Sequence, residues 1–285
     1  MALAISRLGS AAGGEITGID LSKPIDDATF AQILDAFDKH LVLVFRDQKL
    51  TPEQQMAFSR RIGPPVAHVL EGFRLPDTPE VFVVSNKKEG NKPKGAIYAG
   101  QYWHTDLSYV EKPALGSMLH ALEVPSVGGD TMFANMYLAY DTLSEPMKAL
   151  LGGLTALHDY TYTYETVFSK LPGRPPMTEE EKKKIPPVVH PVIRTHPRTR
   201  KKALYVNPGF TRRIVELTEG ESRALLDYLA GHSTRYEFVY RHKWRVGDVV
   251  LWDNRCTMHR AVADYDMAEP RHMHRTTIEG DRPYN

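Results

Sequence analysis

The chain has little cysteine, little net charge and no long apolar run. Its single cysteine, Cys256, leaves no partner for an internal disulfide and no thiolate set for a metal cluster. Thirty-six basic residues stand against 35 acidic ones, for a net charge of +1. That balance gives no electrostatic case for nucleic acid or an anionic membrane as a partner. No stretch approaches the roughly 20 apolar residues of a membrane span. The start, Met1-Ala2-Leu3-Ala4-Ile5-Ser6-Arg7, lacks the basic residues and apolar run of a secretory leader. The expectation is a cytoplasmic protein with neither a nucleic-acid nor a membrane partner. No linker, composition break or repeat divides the chain, so 1–285 reads as one domain.

What is present is turn-forming and moderately apolar. Twenty prolines and 20 glycines favour many turns, and 42% hydrophobic content supplies a sizeable core. Phe30, Ile33, Leu34 and Phe37 follow helical spacing and predict a helix from Asp27 to His40. A buried strand over 41–45 follows. Thr51-Pro52-Glu53-Gln54 carries a cap, a first-turn proline and a capping-box partner, so a helix runs to about Ile62 and stops at Gly63. Val81–Val84 reads as a strand and 87–100 as a loop. Residues 114–122 and 131–135 read as strands around the turn Val127-Gly128-Gly129-Asp130. Ser144 starts a helix ending near Gly152, and Thr218 with Glu221 opens another through Ala230. Strands are expected over 188–194, 203–207, 236–244, 248–252 and 273–278. The segment at about 161–186 carries tyrosines, prolines and the run Glu179-Glu180-Glu181-Lys182-Lys183-Lys184. It reads as an insertion, either an active-site lid or a disordered excursion, its charge run a solvated helix face. Few helices early and many strands later predict an α+β, mainly β fold, with a double-sheet jelly roll as one architecture.

The chemistry concentrates in Trp103-His104-Thr105-Asp106 and, far downstream, His259. On a strand or its end, residues two apart share a face, so His104 and Asp106 can address one ion. Two imidazoles and a carboxylate on one side of a metal leave the other side open, as in non-heme Fe(II) oxygenases. Zinc accepts the same donors, and His-x-Asp also arises by chance among 12 histidines. Arg271 and Arg275 share a face if 272–276 is a strand, and both would then look inward. Arginine grips carboxylates through paired charge-assisted bonds, and Thr131 offers a further hydroxyl donor. Surface ion pairing is the competing reading of these arginines. Trp103 and Trp252 read as packing, Cys256 as a small core residue, and His120, His158, His190 and His196 as structural or exposed.

Taken in order, several segments resemble one family. They are Trp-His-Thr-Asp at 103–106, Gly-Gly-Asp-Thr at 128–131, Val-Ile-Arg-Thr-His-Pro at 192–197 and Leu-Tyr-Val-Asn at 204–207. The series continues with Gly-Asp-Val-Val-Leu-Trp-Asp-Asn-Arg at 247–255, Met-His-Arg at 258–260 and Met-His-Arg-Thr-Thr at 273–277. They resemble the Fe(II)/2-oxoglutarate-dependent dioxygenases that include taurine dioxygenase and 2,4-dichlorophenoxyacetate dioxygenase. The resemblance implies a double-stranded β-helix (jelly roll) core with surrounding helices, and an iron site of His104, Asp106 and His259. It implies 2-oxoglutarate on Arg271 and Thr131, molecular oxygen as cosubstrate, and Arg275 on the acidic group of a small anionic substrate. Leu107 through its backbone, Tyr109, Phe210 and His68 fall at substrate-pocket positions by the same comparison. Relatives often form homo-oligomers, dimers or tetramers. Gly100 stands where taurine dioxygenase has an asparagine, and Leu70–Phe73 hold no counterpart of its tyrosine. An alkyl sulfonate, a sulfate ester or an aryloxyalkanoate therefore fits at least as well as taurine. Two other classes stay open at this point: a zinc-dependent hydrolase and a non-enzymatic metal-binding jelly-roll protein.

Overall fold

The structure, a computed structural model, describes residues 3–68, 70–90, 92–97, 99–170 and 176–285. The first helix, Asp27–His40, begins where the Asp26 carboxylate accepts the Thr29 N–H, and buries Phe30, Ile33, Ala36 and Phe37. It ends at Leu41, which takes a left-handed conformation at φ 63° and so caps the helix. The expected 41–45 strand therefore starts one residue later, as Val42–Phe45. The Thr51–Gln54 capping box forms, and Pro52–Ile62 is helical.

These helices cover one side of a seven-stranded sheet. Its strand order is Ala4–Arg7, Gly14–Thr17, Val42–Phe45, Val249–Asp253, Ala114–Glu123, His272–Glu279 and Phe82–Ser85. All neighbours are antiparallel except Gly14–Thr17 with Val42–Phe45. Side-chain alternation builds two cores from one sheet. Val249 and Leu251 join Ile33, Phe37, Phe58 and Ile278 beneath the helices. Val250 and Trp252 face the other way, toward Phe133, Met258 and Met273. The opposing layer includes the three-stranded sheet Val239–His242, Thr131–Asn135 and Thr257–Ala261. A second three-stranded sheet orders Val188–Pro191, Thr155–His158 and Thr211–Ile214. Stacked sheets with helices outside make an α+β, mainly β jelly roll.

Two connections cross between the layers, and both matter below. The Val127–Asp130 turn leads from Ala114–Glu123 in the large sheet to Thr131–Asn135 in the opposing one. Residues 254–256 carry the chain from Val249–Asp253 to Thr257–Ala261 in the same way. Asp253 anchors that second crossing: it accepts bonds from the Arg255 backbone and guanidinium and from His196 Nε2 at 3.0 Å. Burial opposes the Asp253 charge, but Arg255 and His196 hold the carboxyl far below the usual range.

Departures from the sequence expectations are local. The 87–100 stretch contains a small hairpin, Lys88–Glu89 with Lys92–Pro93. The 236–244 strand opens with a 3-10 turn, Tyr236–Phe238, and is extended only over Val239–His242. Within 161–186, Tyr160–Thr166 and Glu179–Lys184 are helices and Phe168–Lys170 is a 3-10 turn. Glu179–Lys184 buries no residue, as a solvated charge run should. The part of that segment at 171–175 lies outside the described residues. Tyr109, Tyr160, Tyr164, Phe168, Ile185 and Phe210 form a third apolar cluster, separate from the two sheet cores.

Candidate metal centre and substrate cavity

His104 and His259 are joined through their backbones. Each donates its N–H to the other's carbonyl, at 3.0 Å and 2.8 Å, in an isolated antiparallel bridge. The imidazole centroids consequently sit 4.1 Å apart. The Tyr102 carbonyl can only accept, so His104 Nδ1 donates to it at 2.8 Å, which leaves Nε2 as the atom turned toward Asp106. Nε2 of His104 and of His259 lie 3.7 and 3.8 Å from the Asp106 carboxylate oxygens. One ligand atom from each of the three lies within 4.8 Å of the others, and all three residues are buried.

Strand alternation does not bring His104 and Asp106 together, contrary to the sequence expectation. The bridge is a single residue pair, after which the chain turns: Ser108 N–H bonds to the Thr105 carbonyl and Leu107 adopts φ 55°. The turn is pinned by Thr105 Oγ1 on the Thr257 carbonyl. A left-handed leucine is uncommon and is held only where surrounding bonds over-determine it. Burial alone would raise the Asp106 carboxyl, but Arg275 and both histidines hold it well below the usual carboxylate range. Burial, then the neighbouring His104, push the His259 imidazole well below its ordinary range. A carboxylate and two imidazoles converging on one point are the donor set of a facial metal site.

A cavity of about 570 Å³, counting its solvent-open side, lies in front of the triad. His104 and Asp106 floor it, and His68, Leu107, Tyr109, Phe210 and Arg275 line it. Arg275 donates to Asp106 Oδ1 at 3.2 Å and lies 5.0 Å over the Phe82 ring. Its Nε is buried without a hydrogen-bond partner among the described residues. His68 packs 4.1 Å from the same Phe82 ring, and its Nδ1 accepts the Leu70 N–H, which places the ring hydrogen on Nε2.

Sequence reasoning missed much of the apolar wall. Tyr102, Tyr160, Phe168 and Phe82 also line the cavity. Tyr109 meets Tyr160 at 4.6 Å and Phe210 at 4.7 Å, while Tyr102 meets Phe168 at 4.9 Å. Tyr160 and Tyr164 are spaced four apart, a signal that would have placed them on one helix face. Burial and then Tyr160 push the Tyr109 hydroxyl well above its ordinary range, so it stays protonated. Gly100 sits against the metal centre with φ +72°, and a Cβ there would lie 3.0 Å from His104 Cε1.

Arg271 and Thr131 do not line this cavity. Arg271 is buried and Arg275 half-buried, and they do not meet the same partner; a register shift between His272 and Met273 interrupts the regular pairing between them. Arg271 Nε donates to the Gly129 carbonyl at 3.2 Å, two residues before Thr131. Among the described residues no carboxylate pairs with this guanidinium, and burial lowers its pKa. Trp244 Nε1 donates to Thr131 Oγ1 at 3.0 Å, so the Thr131 hydroxyl hydrogen points elsewhere. A buried guanidinium with no ion-paired carboxylate among the described residues, and a hydroxyl two residues beyond its Gly129 contact, have the chemistry to hold a carboxylate.

A second buried group, His196, Asp253 and Cys256, also has metal-compatible atoms. Its electrons are already committed: His196 Nδ1 accepts the Arg198 and Thr199 N–H groups, and Nε2 donates to Asp253. Arg255 fills the remaining Asp253 valence, and burial pushes the Cys256 thiol up. This cluster is structural.

The profile described as "Taurine catabolism dioxygenase TauD, TfdA family" matches residues 4–277. The α-ketoglutarate-dependent 2,4-dichlorophenoxyacetate dioxygenase of Cupriavidus pinatubonensis is 36% identical, covering 93% of this chain and 94% of that one. The α-ketoglutarate-dependent sulfate ester dioxygenase of Pseudomonas putida is 36% identical over 95% and 87%. The crystal structure of AAD-2 in complex with Mn(II) and N-oxalylglycine superposes with TM-score 0.83 and 37% identity, covering 99% of both chains. The chain belongs to the TauD/TfdA family of α-ketoglutarate-dependent dioxygenases, and is an oxidoreductase with a His-Asp-His metal-binding triad. That assignment sets aside the zinc hydrolase and the non-enzymatic binding protein. No helix among the described residues is long and apolar enough to cross a membrane.

Proposed function

We propose that the triad His104, Asp106 and His259 holds Fe(II), and that the substrate is a small anion with an apolar, ring-sized body. When bound, iron with 2-oxoglutarate and oxygen supplies the oxidising power for hydroxylation, with release of succinate and CO2. The protein's part is to orient and to exclude water. Arg271 pairs with the far carboxylate of 2-oxoglutarate, and Thr131 adds its hydroxyl. Arg275 and His68 Nε2 take the substrate's anionic group beside Asp106. Tyr102, Tyr109, Phe168 and Phe210 enclose its apolar part, and Leu107 sits at the turn between them. The helical segment carrying Tyr160 and Phe168 acts as a lid within one dioxygenase domain.

The observation that carries this reading is the cavity itself, an arginine beside the metal carboxylate under a wall of aromatic rings. Hydroxylation at the carbon beside a heteroatom makes a product that collapses with C–O or C–S cleavage. Aryloxyalkanoates and sulfate esters with an apolar chain can fill the aromatic wall, whereas taurine has no apolar body to bury against it. Succinate release with Fe(II), ascorbate and 2-oxoglutarate should be compared across aryloxyalkanoates, alkyl sulfate esters, alkyl sulfonates and taurine. Turnover confined to taurine would overturn the substrate class.

A further inference from the structure

Asp106 belongs to a closed ring of hydrogen bonds that extends away from the cavity. Ser117 Oγ donates to Asp106 Oδ2 at 2.7 Å. Asn254 Nδ2 donates to Ser117 Oγ at 3.0 Å. The Asp106 backbone N–H returns to Asn254 Oδ1 at 3.2 Å, and Trp252 Nε1 donates to the same oxygen at 3.2 Å. Every direction in this ring is forced. Two N–H groups meet one end of the Asn254 amide, so that end is the oxygen and the other the NH₂. The NH₂ can only donate, so the Ser117 oxygen accepts it and spends its single hydrogen on the carboxylate. Ser117 and Asn254 are fully buried, so water does not compete for these bonds.

We infer that Ser117 and Asn254 are positioning residues of the metal centre, fixing the Asp106 carboxylate toward His104 and His259 through the protein's own hydrogen bonds. The inference rests on the reading of the triad as the iron site. The fold explains why these two residues can do it. Ser117 lies mid-strand in Ala114–Glu123, opposite Trp252 in register. Asn254 is the first residue of the crossing toward His259, and its N–H is tied to the Leu115 carbonyl at 2.9 Å. The ring thus ties the turn bearing Asp106 to the crossing that delivers His259. Arg275 holds only the other carboxylate oxygen, Oδ1. When Arg275 engages a substrate anion, Ser117 remains on Oδ2. Hydrogen bonds to a ligating carboxylate are worth about 10- to 100-fold in metal affinity.

The test uses the full chain stripped with chelator and titrated with Mn(II), free ion being read by electron paramagnetic resonance. The Co(II) d–d spectrum reports ligand geometry. Ser117→Ala and Asn254→Ala should each weaken Mn(II) binding by about 10- to 100-fold and shift the Co(II) spectrum. The double variant should be little worse than either single one, because the ring is broken once. Should Asn254→Ala fail to fold, Trp252→Phe removes one donor from the Asn254 amide and should weaken Mn(II) a few-fold. Wild-type Mn(II) affinity and an unshifted Co(II) spectrum in folded Ser117→Ala would overturn the inference, whatever its melting temperature. Wild-type protein that binds no Mn(II), or Asp106→Ala that binds it equally well, would instead overturn the metal centre itself.

Discussion

His104 and His259 hold one another by two backbone hydrogen bonds before their side chains do anything. The metal geometry is therefore built into the main chain, and substitution of either imidazole removes a ligand without removing the bridge. His104→Ala and His259→Ala should keep a native circular dichroism spectrum. Both should lose the weak visible charge-transfer band that Fe(II) and 2-oxoglutarate give anaerobically in the wild type. Retention of the band in either variant argues against the iron assignment.

Gly100 tests the same geometry from outside. Its carbonyl is pinned by the Ala261 N–H at 2.7 Å, and its φ is +72°. Gly100→Ala should cost about 1 kcal/mol or more in urea unfolding for the left-handed backbone. It should also push the His104 ring, lowering Mn(II) affinity by at least about 10-fold. Unchanged affinity would mean that the ring yields without disturbing its ligand atom.

The two arginines should separate kinetically. Arg271→Ala leaves a carboxylate guest unpaired in a buried site and should raise the KM for 2-oxoglutarate by about 100-fold or more. Arg275→Ala should act on the primary substrate instead, and Arg275→Lys should restore only part of the loss because the paired fork is gone. Steady-state KM values for both substrates decide this; equal effects on both from either variant would contradict the assignment.

Acid stability should report the buried histidines. Burial holds His158 down to about 3 and His190 to about 4, and burial with His272 and His120 holds His274 to about 4. Each folded pKa lies below the unfolded value of about 6.5, so the unfolded chain binds these protons first. Their contribution is intact above pH 6.5 and is lost as pH falls toward about 4. The buried Asp253 loses its contribution only below about pH 3.8, a separate window. Urea midpoints should fall steadily between pH 7 and 4.5, and His158→Gln should flatten that slope. A midpoint independent of pH in this range would contradict the neutral buried rings.

The first two helices were readable because their ends are written in short local signals. Asp27–His40 and Pro52–Ile62 match the expected bounds, the second through its capping box and first-turn proline. The ligands were readable because His104-x-Asp106 and His259 carry unusual chemistry at family spacing. Their geometry was not, since a one-residue bridge followed by a left-handed Leu107 leaves no periodic trace. Ser117 was invisible for a different reason: a serine inside an apolar strand looks like a tolerated polar residue until Asp106 and Asn254 are folded against it. The same holds for the Val127–Asp130 turn, whose glycines predict a reversal but not that the chain changes sheets there.

The third apolar cluster has a consequence for redesign. Tyr109, Tyr160, Tyr164, Phe168 and Phe210 pack with each other, apart from the two cores that stabilise the sheets. Side chains there can be exchanged without emptying either sheet core, but each is buried against its neighbours, so volume-conserving exchanges are the ones the cluster tolerates. On the proposed reading of the cavity, substrate preference can then be altered without touching the residues that hold the ion. A chain built this way is a ready starting point for directed evolution toward new anions, with libraries confined to 102, 109, 160, 168 and 210.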